Sequence, residues 1–173
     1  MRFVYEPKIS TKRLVLREIL ESDFDSLIDI FCNEEVKRSY ILPDLSSREE
    51  GISLANRVKD LSNNYDRFVY AICLDNRLIG LVNDVFIDEN IVELGYVIHP
   101  NYKNNGYATE SLRVCIELIF RSGFSVVRAG AFEENLASIR VMEKCGLTIT
   151  PNKEQIDYRG KIHNCKYYQI SKV

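Results

Sequence analysis

The sequence predicts a mixed β-sheet flanked by helices, an α+β arrangement within the broad α/β class. Three observations carry this expectation. Strand-type runs outnumber helix-type runs, several of them are spaced as hairpins, and the order β-α-α-β-β-β-α-β-α-β-β departs from the alternation of a purely parallel sheet. No internal repeat or low-complexity linker interrupts the 173 residues, so one domain spanning 1–173 is expected. A chain of this length buries roughly 70% of its unfolded surface and needs no staple.

Residues 13–19 open the pattern as a strand, with Leu14 and Leu16 on one face. Ser22 and Asp25 read as a capping-type start for a helix over 22–31, and Leu27, Ile28, Ile30 and Phe31 form its apolar side. An irregular segment holding Tyr40 and Pro43 follows. Ser47 and Glu50 match a capping box for a helix over 48–61, where Ile52, Ala55, Val58 and Leu61 recur at helical spacing.

Residues 67–74 and 77–87 are β-rich runs joined by Asp75 and Asn76, a tight hairpin turn. Residues 91–98 supply the next strand, and 106–121 a helix whose stripe is Leu112, Cys115, Ile116, Ile119 and Phe120. Ser122 and Gly123 end that helix, and 124–132 return to strand. A last helix over 135–146 turns Val141, Met142 and Cys145 inward and stops at Gly146. Residues 148–156 and 164–170 form a hairpin around Arg159, Gly160 and Lys161.

Composition narrows the function classes. Hydrophobic residues make up 46% and charged residues 28%, an ordinary globular balance. The net charge of −2, with basic and acidic residues interleaved, argues against nucleic acid as a partner. The N-terminal residues begin no signal-type apolar run and no stretch of eighteen apolar residues occurs, so a cytoplasmic location without membrane contact is expected. Cys32, Cys73, Cys115, Cys145 and Cys165 are odd in number and widely separated, which writes neither a disulfide framework nor a zinc site. With two histidines in the chain, His163 and Cys165 have no second pair of ligands, and no metal is assigned.

Residues 93–109 carry the most information, because a strand runs directly into a polar, glycine-bearing turn that opens a helix. At a helix start the first N–H groups lack intrahelical partners and the macrodipole is positive, so the turn forms an anion cradle. Gly106 removes a Cβ that would block close approach. Asn104, Asn105 and Thr109 can supplement the backbone contacts, and Tyr107 sits beside them. A solvated connection is the ordinary alternative for such a turn.

The run Lys103, Asn104, Asn105, Gly106, Tyr107, Ala108 resembles the acyl-CoA pyrophosphate loop of the GNAT N-acetyltransferase superfamily. Lys103 stands where that loop has Arg or Gln; it keeps the charge and loses the planar fork, which weakens the phosphate contact. Thr11, Arg13, Leu14, Leu16 and Arg17 are similar to the opening motif of the branch holding the RimJ/RimL-like ribosomal-protein N-terminal acetyltransferases. Glu93, Gly95, Tyr96 and Pro100 resemble its cofactor strand, and Asn135, Ser138, Met142 and Gly146 its last helix. The resemblance covers residues 9–171.

That resemblance implies a mostly antiparallel sheet of six to seven strands, about four flanking helices and splayed central strands. It implies acetyl-CoA as co-substrate, with no metal. The backbone of Tyr96, Val97 and Ile98 would meet the pantetheine, residues Lys103 to Thr109 the pyrophosphate, and Asn135 and Ser138 the thiol end. A homodimer is common among proteins of this kind.

Acetyl transfer to an amine needs a neutral nucleophile, a polarised thioester carbonyl and stabilisation of the departing thiolate. An α-amine titrates near roughly 8 and a lysine amine near about 10.4, so a protein N-terminus needs less help with proton removal. Glu93 is the first candidate base, directly or through a water, against an equally weighted role as an ion-pair partner. Asp84 is a weaker candidate that reads better as a cross-strand partner. Ser138 would serve the thiolate by analogy with the resembling branch, because Met142 stands where other members of the superfamily carry a tyrosine. Its structural alternative is a local backbone bond at the helix start. Cys115 and Cys145 lie on apolar faces without a base beside them, which disfavours an acyl-cysteine route and favours direct attack in a ternary complex.

The leading function is therefore N-acetyl transfer to a protein N-terminal amine. Its rivals are a small-molecule amine such as an aminoglycoside or polyamine, and a non-catalytic acetyl-CoA-binding module. A dinucleotide site fails because the turn lacks the three-glycine fingerprint and follows the fourth strand.

Overall fold

The computed structural model describes residues 3, 4 and 6–172. One eight-stranded sheet runs in the order β1-β2-β3-β4-β5-β6-β8-β7. Its strands are β1 (Lys8–Ser10), β2 (Val15–Arg17), β3 (Val69–Leu74), β4 (Arg77–Ile87), β5 (Ile91–Ile98), β6 (Val126–Phe132), β7 (Thr148–Tyr158) and β8 (Lys161–Ser171). Every neighbouring pair is antiparallel except β5 and β6, which run parallel. The expected mixed, mostly antiparallel sheet is what the chain builds, with the three-residue edge strand β1 raising the count to eight.

Side-chain alternation sends the sheet into two cores. Ile72, Val82, Val92, Leu94 and Val127 point to one face, where α4 (Tyr107–Arg121) and α5 (Leu136–Lys144) add Leu112, Cys115, Ile119 and Met142. Val69, Ala71, Cys73, Leu81 and Val97 point to the other. There α1 (Phe24–Cys32), α2 (Glu34–Lys37) and α3 (Arg48–Ser62) add Leu27, Phe31, Val36 and Ala55.

Three local expectations change. The helix expected from Ser22 begins at Phe24 after a 3₁₀ turn over Glu21–Asp23. Its entry is organised by neither Ser22 nor Asp25 but by Asp23, whose carboxylate accepts Leu20 N–H at 2.8 Å and a two-pronged Arg17 guanidinium at 2.7 and 2.9 Å. A fifth helix, α2, exists because Asn33 Oδ1 accepts the N–H groups of Glu35 and Val36. The last hairpin is longer than expected, since β7 and β8 stay paired to Tyr158 and Lys161.

Both tight hairpins form where turn chemistry put them. Asp75 and Asn76 have φ of 47° and 67°, and Arg159 and Gly160 have φ of 52° and 72°. Positive φ at both central residues gives the turn the twist of its flanking strands. The second of these turns holds the segment between α2 and α3: Arg159 pairs with Asp44 at 3.1 Å, and Tyr158 Oη donates to Tyr40 O at 3.3 Å while accepting Leu42 N–H at the same distance.

Candidate active site

The parallel ladder between β5 and β6 ends at Leu94 and Ala129. Beyond it β5 stays with β4 as far as Ile98, while β6 follows β8 to Phe132. The central strands therefore part, as the resemblance implies. His99 N–H bonds Ile79 O at 2.8 Å, which sets the alternation along β5. Main-chain groups of Gly95 and Val97 face β4, and those of Tyr96 and Ile98 face the gap. Val97, although its side chain packs in the second core, also borders the opening.

The gap widens into a groove of about 370 Å³. At one end lies the start of α4. Its cap residue Gly106 has φ of 79° and offers no side-chain bond, and the first intrahelical acceptor is Gly106 O, taken by Glu110 N–H at 3.0 Å. The N–H groups of Tyr107, Ala108 and Thr109 are left without intrahelical partners, on the groove wall that these residues form. In contrast, α2, α3 and α5 all have side-chain caps, from Asn33, Ser47 and Asn135.

The turn is braced from the N-terminal segment. Arg13 Nη1 donates to Asn105 O at 2.8 Å, Arg13 Nε donates to Glu110 Oε2 at 2.8 Å, and the guanidinium lies 4.6 Å from the centre of the Tyr107 ring. Thr11 Oγ1 donates to Glu110 Oε1 at 2.6 Å. Burial alone would raise the Glu110 carboxyl, but the bonds from Thr11 and Arg13 outweigh it and hold the group below its usual range. The brace ties Thr11 and Arg13 to a loop far from them in sequence.

Lys103 and Asn104 line the groove beside these amides. Asn104 has φ of 62°, a left-handed conformation that asparagine tolerates. Asn105 does not fulfil the expectation of a phosphate-facing side chain. Its Nδ2 donates to Tyr102 O at 3.1 Å and to Lys103 O at 2.9 Å, closing the turn on itself.

At the other end of the groove α5 meets β5. Asn135 Oδ1 accepts Ser138 N–H at 3.1 Å, so Asn135 is the helix cap and Ser138 Oγ is released from that duty. Ser138 Oγ lies 2.7 Å from Tyr96 Oη, and the Tyr96 hydroxyl is also 3.1 Å from Ser138 O. Burial pushes the Tyr96 phenol well above its ordinary value, although the bond to Ser138 works against that. Sequence reasoning placed Tyr96 here for its backbone and missed its hydroxyl; alternation along β5 was the available signal.

Tyr40 is also a wall residue. Its Oη donates to Asn83 Oδ1 at 2.5 Å, and burial raises the phenol. Asn83 Nδ2 in turn donates to Asp84 O at 3.0 Å. Asp84 itself is structural: its carboxylate accepts Arg67 Nε at 2.8 Å and Phe68 N–H at 2.7 Å.

Glu93 does not line the groove. It shares a strand face with Gly95, two residues further from the gap. Arg128 Nε donates to Glu93 Oε2 at 2.8 Å, and only 12% of the Glu93 side chain is exposed. Burial raises this carboxyl and Arg128 partly offsets the effect.

A family profile described as acetyltransferase (GNAT) domain matches residues 13–148, most of the chain. The protein belongs to the GNAT acetyltransferase family. It is an acetyl-CoA-dependent N-acetyltransferase, and acetyl-CoA is its co-substrate. Among curated proteins, the uncharacterized N-acetyltransferase YnaD of Bacillus subtilis (strain 168) is 30% identical over 141 residues, covering 80% of this chain and 81% of that protein.

Solved GNAT structures share the fold. RimL, a ribosomal-protein α-N acetyltransferase in complex with coenzyme A, superimposes with a TM-score of 0.84 at 21% identity, covering 95% of this chain and 97% of that one. An acetyltransferase from Salmonella typhimurium that modifies the N-terminal serine of a 50S ribosomal subunit protein gives a TM-score of 0.81 at 18% identity, covering 94% and 97%.

Acetyl-CoA fits the residues present in this GNAT chain. Free helix-start amides and Lys103 suit a pyrophosphate, the unpaired backbone of Tyr96 and Ile98 suits an amide-bearing arm, and the Ser138 hydroxyl suits a sulfur. Among the described residues no cluster of three His, Cys, Asp or Glu side chains is placed to hold a metal, and no helix is long and apolar enough to cross a membrane.

Proposed function

We propose that this acetyltransferase, acting as a single domain, acetylates the α-amine of a protein N-terminus by direct attack within a ternary complex. The observation that carries the reading is the lining of the groove. None of its lining residues is Asp or Glu. A polyamine or aminoglycoside presents several positive charges and calls for carboxylates along its path. An α-amine presents one charge and loses it near roughly pH 8. The fold shared with enzymes that modify ribosomal-protein N-termini supports the same choice.

In this reading the amides of Tyr107, Ala108 and Thr109 bind pyrophosphate, with Lys103 and Asn104 beside them. Tyr96 and Ile98 offer main-chain groups to the pantetheine arm, with Val97 packing from the wall. Tyr40, Ser39 and Gly95 shape the path of the acceptor. Ser138 donates a hydrogen bond to sulfur as the thiolate leaves. Glu93, outside the wall and tied to Arg128, receives the amine proton through water.

Thiol release from acetyl-CoA, measured across peptides with varied N-termini, polyamines and aminoglycosides, tests the acceptor. Turnover confined to peptide α-amines is expected. Faster turnover on a polyamine or aminoglycoside overturns the reading.

A further inference from the structure

Tyr96 and Ser138 share a bonding problem with two solutions. Ser138 N–H is committed to Asn135. The Tyr96 hydroxyl has one proton and two acceptors within reach, Ser138 O at 3.1 Å and Ser138 Oγ at 2.7 Å. If Tyr96 donates to the carbonyl, the serine hydroxyl donates back to Tyr96 Oη, and both protons are consumed inside the protein. If Tyr96 donates to Ser138 Oγ, the serine proton is free to turn into the groove. The two arrangements need no movement of heavy atoms.

A thioester sulfur is a poor acceptor and a thiolate a strong one, so the second arrangement gains on the first only as charge reaches sulfur. An interaction that strengthens in the transition state accelerates the chemical step without tightening substrate binding. We propose that Tyr96 is a positioning residue for acetyl transfer, switching its hydroxyl from the Ser138 carbonyl to the Ser138 hydroxyl and thereby directing the serine proton at the leaving sulfur. This rests on the reading that Ser138 faces the thiolate.

The step balances without any further reactant. The amine nitrogen bonds the acyl carbon, the C–S bond breaks with its electron pair on sulfur, and the amine proton departs through water. Ser138 and Tyr96 each keep their proton and change only the acceptor it points to. The tyrosine that other superfamily members carry on the last helix is Met142 here, fully buried in the core. In this chain a phenol reaches the sulfur end from β5 instead, one serine removed.

The test is a double-mutant cycle on the full chain with acetyl-CoA and a turned-over peptide. Tyr96→Phe keeps the buried ring; it should lower kcat about tenfold and leave the acetyl-CoA KM within about twofold. Added to Ser138→Ala it should cost nothing more, because the serine through which it acts is gone. Unchanged kcat in Tyr96→Phe, or a full multiplicative loss in the double variant, overturns the proposal. Wild-type kcat in Ser138→Ala overturns the Ser138 reading along with it, whereas a slow Ser138→Ala beside a normal Tyr96→Phe overturns the Tyr96 role alone. The single-turnover rate in mixed H₂O and D₂O should bow in the unsubstituted enzyme, where the amine proton also contributes, and bow less in Tyr96→Phe; equal curvature in the two overturns the switch.

Discussion

Lys103 Nζ sits 2.7 Å from Glu35 Oε1, tying the first residue of the anion loop to α2, whose Val36 lines the same groove. The Lys103 bond and charge hold the Glu35 carboxyl below its usual range. Both side chains are substantially exposed, so the pair itself adds little to stability. In the proposed reading its effect falls on the ligand, because Glu35 would compete with phosphate for one ammonium group.

Glu35→Gln should therefore tighten acetyl-CoA binding by about two- to fivefold at low salt, and the gain should shrink as salt rises. Lys103→Ala should weaken binding and flatten its salt dependence while leaving kcat unchanged. Calorimetric titration at two ionic strengths checks both.

Arg13→Ala removes the bond to Asn105 O, the pairing with Glu110 and the contact with Tyr107. The loop keeps its sequence and loses its support, so the acetyl-CoA KM should rise roughly fivefold with kcat preserved. Glu110 gives the same brace a pH signature. Its folded pKa is depressed, so the stability it adds is present above the ordinary carboxylate pKa and is lost as pH falls through the depressed value. The gap in urea midpoint between the wild type and Glu110→Gln should thus be full at neutral pH and close on acidification.

Gly106 and Gly123 separate backbone cost from ligand cost. Both have positive φ, at 79° and 97°, so alanine at either should cost about 1 kcal/mol of stability. At Gly106 the new methyl would also stand at the cap beside the free amides, 3.4 Å from Arg13 Nη2. At Gly123 it would meet nothing within 4 Å. Thermal melts should show similar losses for the two variants, and acetyl-CoA titration a loss for Gly106→Ala alone.

Glu93 tests the proton path. Its carboxyl is raised by burial, and a base works only when ionised, so the rate should fall as pH drops through that raised value. Glu93→Gln should lower kcat and remove this acid limb, leaving the limb set by the acceptor amine itself. An unaltered pH profile in the variant would assign Glu93 to the ion pair with Arg128 alone.

Much of this architecture was legible from local chemistry. The turns at Asp75-Asn76 and Arg159-Gly160 follow from residues that tolerate positive φ, and α4 follows from an apolar stripe of 3.6-residue period. Two short elements were not legible: β1 has three residues and α2 has four. The loop amides could be located because a glycine cap is a local signal. The Tyr96 to Ser138 contact spans 42 positions and the Glu93 to Arg128 pair spans 35. Such contacts depend on how the strand and helix faces come to meet, and no single window of sequence contains that information. Asn105 shows the converse, a residue type suited to phosphate that the turn consumed for its own closure.

The early end of the β5–β6 ladder leaves the two flanks of the sheet stitched by four residue pairs, from Ile91↔Val126 to Leu94↔Ala129. Deuterium should consequently enter the amides of Tyr96 and Ile98 faster than those of Val97 and the buried β4 interior, although all lie in one strand region. A bound pantetheine arm would fill the place of missing rungs, so saturating coenzyme should slow exchange on both lips of the seam and make the two flanks unfold together.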